Sequence, residues 1–373
     1  MSNSIDYSVD NNKNHIIISN NISNILIQKI NFYQTDKKVL FVYDKKISKY
    51  FINDIKTKLK LSGNIIIFKE LEGEKFNKNL NNLLKLIDIL IKNKFTKNSL
   101  IISCGGGVIG DLCGLLSSLY LRGTIYYQIP TTMTAIVDSC IGGKTGINYK
   151  GIINSLGNYH HPNIVMISEN LIKKIPDREY FAGFAEIIKC GLIGNQKILN
   201  YLENDNCLYN RSGYKNLSKI ILETLKTKIK FFKNDVREKN ERLLLNFGHT
   251  FAHAFEMATE KLIKKDFLRH GEAVGLGMLC EIMLSNNENN KSNKIYKLTE
   301  KLLTKFNLPV ELEIPGKKTN LLHTEIYNGI FLDKKTKNLY PRFINLNKIF
   351  KPKIMEIKNF NQINYVINKI FKN

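Results

Sequence analysis

The chain changes its hydrophobic rhythm near residue 177. Before that point, apolar runs at residues 39–43, 64–68, 100–104, 125–129 and 164–167 are too short for helices and lack a polar face. They read as strands buried on both sides. Segments 47–59 and 80–91 repeat apolar positions every three to four residues, the period of a helix with one buried stripe. Strands alternating with helices predict a Rossmann-like α/β domain with a mostly parallel sheet over residues 1–176. From Asp177, a residue suited to capping a helix, strand-like runs stop and amphipathic patterns continue to Phe306. An all-helical domain is therefore predicted over residues 177–373. Pro309 and Pro315 mark a connector at 307–320, Asp333, Lys334 and Lys335 precede a short strand or loop, and a last helix is expected at 362–371.

Composition supports this division and narrows the function. A chain of 373 residues with 43% hydrophobic and 24% charged residues is an ordinary globular protein, long enough for two domains. The net charge of +23 comes from 56 basic against 33 acidic residues. Its lysines are scattered from end to end among Asn and Ile, so a solvated surface is expected and a nucleic-acid interface is not. Six cysteines show no C-x-x-C pair, and the start of the chain lacks the basic, apolar, small-residue order of a signal peptide. No apolar stretch is long enough to span a bilayer. A cytoplasmic protein with reduced thiols and no membrane partner is expected.

The strand at 100–104 runs directly into Gly105, Gly106, Gly107, Val108, Ile109, Gly110 and Asp111, followed by an apolar helical pattern. Strand, glycine turn and helix start together suit a pyrophosphate, because glycine permits close backbone approach and a helix N-terminus offers unpaired N–H groups. The turn follows the third predicted strand, and its ribose-binding acid would have to lie upstream, where Asp44 and Glu74 are candidates. Thr131 and Thr132 end another strand with two hydroxyls. Asp138 then leads into Gly142, Gly143, Lys144 and Thr145, which lack the first glycine of a Walker A loop and so argue against an ATPase. Arg122, Lys144, Lys189, Lys228 and Arg242 are candidate partners for an anionic substrate.

In the second half, Glu186, His249 and His270 sit in separate segments with one composition in common: a metal-binding side chain among small and apolar residues. Any one alone would be an ordinary core residue. Together, one carboxylate and two imidazoles with an open position suit a catalytic divalent metal. His253 recurs one helical turn after His249 on the same face.

These segments, GGGVIGDLCG, YLRG, PTTMTAIVDSCIGGKTGIN, GFAEIIKCGLI, LLLNFGHTFAHAFE and HGEAVGLGM, resemble the 3-dehydroquinate synthase family over nearly the whole chain. The resemblance implies a homodimer that uses NAD and zinc or cobalt. Its implied reaction converts 3-deoxy-D-arabino-heptulosonate 7-phosphate to 3-dehydroquinate and phosphate, by transient oxidation, phosphate elimination, re-reduction and intramolecular aldol closure. Its metal ligands fall on Glu186, His249 and His270. Its NAD contacts fall on Asp44, Glu74, Gly106 to Asp111, Thr131, Thr132 and Lys144, with Leu171, Ile172, Lys173 and Lys174 alongside. Catalytic positions fall on Lys189, His253, Asn246 and Asp138, and substrate contacts on Arg122, Lys144, Lys228, Arg242, Lys334 and Lys335.

The chain departs from the pattern at three places. Ile152, Ile153 and Asn154 stand where Gly, Lys and Asn are usual, with Lys150 nearby. Asn77 stands where a lysine is usual, with Lys78 one residue later, and Ala252 replaces a glycine. Three rival readings remain open: another sugar phosphate cyclase, a metal-dependent polyol dehydrogenase of the same broad architecture, and a degenerate, non-catalytic remnant.

Overall fold

The computed structural model describes residues 3–10, 12–33, 36–150, 152–211, 214–263, 266–285, 293–313, 319–332 and 340–371. The chain forms two compact units, Met1–Pro176 and Asp177–Asn373.

The first unit runs β1 (Asn3–Val9), β2 (Asn12–Ser19), α1 (Ile22–Lys29), β3 (Lys38–Asp44), α2 (Lys49–Lys60), β4 (Ile65–Leu71), α3 (Leu80–Lys92), β5 (Leu100–Gly105), α4 (Gly107–Leu119), β6 (Ile125–Pro130), β7 (Lys144–Tyr149), β8 (Ile152–Tyr159), β9 (Ile164–Ser168) and α5 (Glu169–Ile172). Seven strands make one sheet in the order β1-β2-β9-β6-β5-β3-β4, antiparallel at β1/β2 and parallel elsewhere. Alternate residues of the strands enter two cores. Val39, Phe41, Leu100 and Ile102 pack with Leu26 of α1 and Ile52, Ile55 and Leu59 of α2. Leu40, Val42 and Ile101 pack with Leu83, Leu86 and Leu90 of α3 and Ile109, Leu112 and Leu116 of α4. Coverage of both faces is why these strands are predominantly apolar rather than alternating.

Two features of this unit depart from the sequence expectation. Strands β1 and β2 precede the first predicted strand, so the glycine turn follows the fifth strand of the chain and not the third. In β2 the polar Asn14 occupies a buried position, its amide donating to the Pro162 carbonyl at 2.9 Å, which interrupts the apolar pattern that would have marked a strand. The antiparallel hairpin β7–β8 was also not expected. Strand β8 is exposed along most of its length, so it carries no buried stripe to betray it.

The second unit comprises α6 (Asp177–Ala182), α7 (Phe184–Gly194), α8 (Gln196–Asn204), α9 (Tyr214–Phe232), α10 (His249–Leu262), α11 (His270–Leu284), α12 (Lys294–Lys305), α13 (Thr319–Leu332), the strands β10 (Arg342–Asn345) and β11 (Lys353–Glu356), and α14 (Phe360–Ile370). Helices α7 and α11 are its centre, buried on every side apart from their end residues. Such a helix needs no polar face, whereas α8, α12 and α14 around them are amphipathic. The unit is helical as expected, with one two-stranded ribbon, β10–β11, added. The buried Glu281 of α11 fastens that ribbon by accepting the Ile344 N–H at 2.8 Å. No described helix is long and apolar enough to cross a membrane.

Candidate functional site

Three helices of the second unit converge because glycine lets their backbones touch. Gly248 caps α10 at φ +84°, where a side chain is strained, and a Cβ there would lie 2.8 Å from the Val274 carbonyl oxygen and 2.9 Å from the Met278 nitrogen of α11. At the start of α11, a Cβ on Gly271 would overlap the Ala182 carbonyl oxygen just before α7. These approaches place His249 at the first turn of α10, His270 at the first turn of α11 and Glu186 in the first turn of α7 beside one another. One donor atom from each lies within 4.8 Å of the others.

Glu186 is fully buried. Its Oε1 lies 3.5 Å from His249 Nε2 and 3.8 Å from His270 Nε2. Lys189, one turn along α7 and also buried, brings Nζ to 2.5 Å from Oε2. That contact is an ion pair without hydrogen-bond alignment, since neither Glu186 oxygen has a hydrogen-bond partner among the described residues. The imidazoles are oriented from behind. His270 Nδ1 lies 3.2 Å from Glu256 Oε2, and His249 Nδ1 lies 3.3 Å from the Phe247 carbonyl oxygen. Both Nε2 atoms therefore face the Glu186 carboxylate, the arrangement that suits a divalent cation held by one oxygen and two nitrogens. Glu272 holds the start of α11 by accepting the Arg269 N–H at 2.8 Å and a two-pronged contact from Arg178 at 2.6 Å.

His253, exposed on α10, has its ring 5.8 Å from that of His249 and 6.5 Å from that of His270. The buried cations Lys228, on α9, and Arg242 belong to the same unit. Arg242 donates from Nη1 to the Val236 carbonyl at 2.7 Å and stacks its guanidinium over Phe232 at 5.4 Å. Asp235 ties down its loop by accepting backbone N–H groups from Lys239, Asn240 and Arg242 at 2.8, 2.7 and 3.0 Å. Partial burial alone would raise the Asp235 pKa, but these donors outweigh it and hold the carboxyl below its usual range. Asn246 donates to Glu238 Oε1 at 2.5 Å. Lys334 and Lys335 lie outside the described residues.

In the first unit, the glycine turn sits at the end of β5, an interior strand of the sheet. Gly106 caps α4, and a Cβ there would press on Thr132 at 3.1 Å. The Thr131 N–H donates to the Gly105 carbonyl at 3.0 Å, so both threonines adjoin the turn. Asp138 follows on a short π-helical turn, Ala135–Ser139. Asp44, at the end of β3, accepts the Lys46 N–H at 3.0 Å, and the Lys46 ammonium reaches Glu74 at 2.5 Å, which groups the two upstream acids. Leu171 and Ile172 point into the core, while Lys173 and Lys174 are exposed. Lys144 opens β7, whose next residue, Thr145, packs on Gly114 midway along α4. Arg122 is set apart from the turn, exposed at the opposite end of α4.

Several residues escaped the sequence reading. Glu256 had a signal, since His249, His253 and Glu256 share one face of α10 at i, i+4 and i+7. Glu238 carried no local mark of its pairing with Asn246, and Lys78, noted only as standing one residue past the expected lysine, gave no sign that it grips Asp111 in the first turns of α4, 33 positions away. Burial pushes the Asp111 carboxyl up, against the lowering pull of the Lys78 ammonium.

Fold and site together define an α/β protein whose helical unit carries a three-donor metal constellation. Models of the N-terminal and C-terminal parts of 3-dehydroquinate synthase match residues 68–182 and 183–336. The 3-dehydroquinate synthase of Clostridium tetani (strain Massachusetts / E88) is 36% identical over 326 residues, covering 87% of this chain and 81% of that one. The chain belongs to the 3-dehydroquinate synthase family, and with it to enzymes of the cyclase and lyase class. Among solved structures, 2-deoxy-scyllo-inosose synthase complexed with carbaglucose-6-phosphate, NAD+ and Co2+ matches with a TM-score of 0.81 at 20% identity, covering 99% of this chain and 100% of that one. The 2-epi-5-epi-valiolone synthase from Streptomyces hygroscopicus subsp. jinggangensis 5008, with NAD+ and Zn2+ bound, matches with a TM-score of 0.82 at 20% identity, covering 98% and 97%. At that identity the likeness speaks to the fold.

Proposed function

We propose that this chain converts 3-deoxy-D-arabino-heptulosonate 7-phosphate to 3-dehydroquinate and inorganic phosphate, using NAD and a divalent metal. The observation that carries the reading is the meeting of Glu186, His249 and His270 within 4.8 Å, where the buried carboxylate has an ion pair with Lys189 but no hydrogen-bond partner among the described residues. An oxygen and two imidazole nitrogens are a donor set for zinc or cobalt that leaves a position for a substrate oxygen. When bound, the metal supplies Lewis acidity at a substrate hydroxyl and NAD supplies reversible hydride acceptance.

The chain's own residues bind, orient and move protons. Lys228 and Arg242 are buried cations suited to the substrate's carboxylate and phosphate. Lys189, paired with the carboxylate ligand, and His253, exposed beside the two ligand imidazoles, are the residues proposed for charge stabilisation and proton exchange with substrate. Asn246, Asp138, Lys144, Arg122, Lys334 and Lys335 complete the proposed substrate and catalytic set. The turn from Gly106 to Asp111 offers the helix N-terminus for a pyrophosphate, with Thr131 and Thr132 adjoining and Asp44 and Glu74 as ribose acceptors. Lys144 and the segment from Leu171 to Lys174 are further proposed contacts.

The protein is further proposed to be a cytoplasmic homodimer that binds no nucleic acid. Six free thiols, five of them buried, support a reducing compartment. Ile152, Ile153 and Leu156, each more than 40% exposed on β8, support burial of that uncharged strand against a second copy.

The test is phosphate release from the heptulosonate phosphate by purified protein supplied with NAD and zinc or cobalt. Phosphate release without accumulation of NADH is expected. NADH accumulation without phosphate would assign a dehydrogenase instead, and no turnover with metal and NAD both bound would assign a binding remnant.

A further inference from the structure

Four segments of the first unit meet around one buried lysine. Lys78, 8% exposed, follows a short 3-10 turn at Lys75–Asn77 and sends Nζ to Asp111 Oδ2, in the early turns of α4, and to Asn154 Oδ1, on β8. Its own carbonyl accepts the Asn148 N–H of β7 at 2.8 Å, and the Asn148 side chain accepts the Asn154 N–H at 3.0 Å. Asn154 stands at φ +50°, a region that asparagine tolerates better than most residues. Ile153 beside Asn154 is apolar and exposed, and Lys150 lies with its ammonium 5.6 Å from the Tyr149 ring. Asn77 is occupied as well, donating to the Glu72 carbonyl at 3.1 Å.

We infer that Lys78 is the positioning residue of the glycine turn, fixing the start of α4 to the β7–β8 hairpin so that the backbone N–H groups from Gly106 onward stay aimed at a dinucleotide pyrophosphate. The inference rests on the proposed NAD-binding role of this unit. The physical reason is connectivity. Asp111 is one turn past the N–H groups that would meet the ligand, and Lys78 is the cation that joins it to a separate piece of backbone. A charge-assisted contact of this kind, protected from solvent, restrains a helix terminus more than an exposed lysine does. The same contact accounts for how this chain manages with Asn77 and Ile153 at positions where the resemblance implies lysines.

The test compares NAD binding, by titration, in the full-length protein and in Lys78→Met, Lys78→Arg, Asn154→Ala and Lys150→Met. Expected results are a rise in the NAD dissociation constant of about tenfold for Lys78→Met and about threefold for Asn154→Ala, with Lys78→Arg within threefold of the parent and Lys150→Met unchanged. In turnover, Lys78→Met should raise the KM for NAD with kcat at saturating NAD largely kept, and zinc content should stay at the parent level. Lys78→Met binding NAD as tightly as the parent overturns the inference, as does an equal loss in Lys150→Met. Should Lys78→Met fail to fold, Asn154→Ala with parental NAD affinity overturns it. A parent protein that binds no NAD overturns instead the reading on which the inference rests.

Discussion

His270 Nδ1 lies 3.2 Å from Glu256 Oε2, so the imidazole that opens α11 is aimed by a carboxylate on α10. Such a partner fixes the tautomer and ring orientation of a ligand histidine, and its loss typically weakens metal binding by about 10- to 100-fold. Glu256→Gln should therefore lower zinc affinity by about that factor in chelator competition while leaving the helical content intact. Unchanged affinity would show that packing alone orients His270.

The Glu186 and Lys189 pair makes a different demand. Both side chains are buried, and removal of one leaves the other's charge without compensation. In metal-free protein, Glu186→Ala should cost about 3–5 kcal/mol of stability, read from denaturant unfolding, and should also abolish zinc binding. His249→Ala should abolish zinc binding with a much smaller loss of stability, because an imidazole can leave without stranding a charge. Equal destabilisation by the two substitutions would contradict this account of the site.

Gly248→Ala tests the approach of α10 to α11. A Cβ at φ +84° meets the Val274 carbonyl and the Met278 nitrogen at under 3 Å, so backbone strain and a clash between helices add. A loss of about 1–3 kcal/mol from the strained backbone alone is expected, together with weaker zinc binding because His249 is the next residue. Ala252, on the same helix, tolerates its Cβ in a buried position, so sensitivity should be confined to the cap.

Asp235 predicts a pH dependence. Its carboxyl is held below the usual range by three backbone donors, so between the folded and unfolded pKa values the unfolded chain binds more protons. The stabilisation is present above the unfolded value of about 3.9 and disappears as pH falls through the folded one. The melting temperature of Asp235→Asn should fall below that of the parent at pH 6, and the gap should close on acidification below about pH 4. A gap that stays constant across that range would remove Asp235 as its cause.

The parts of this protein that could be read from the chain are those in which local pattern and tertiary role coincide. Residues 100–104 are almost wholly apolar because β5 is buried on both faces, and the glycines after them are legible because a turn that admits pyrophosphate needs them. Strands β2 and β8 stayed hidden for the converse reason: one buries an asparagine, and the other buries almost nothing.

By itself the sequence determined the two-part organisation, the donor types at Glu186, His249 and His270, and the family. Only the tertiary structure decided which carboxylate stands behind which imidazole, that Lys78 and not Lys150 joins the glycine turn to its hairpin, and that Arg122 lies a helix away from that turn. The reason is physical. Donor chemistry and hydrophobic period are properties of single residues and short windows, whereas the pairing of Lys78 with Asp111, 33 positions apart, exists only after folding has closed the loop between them.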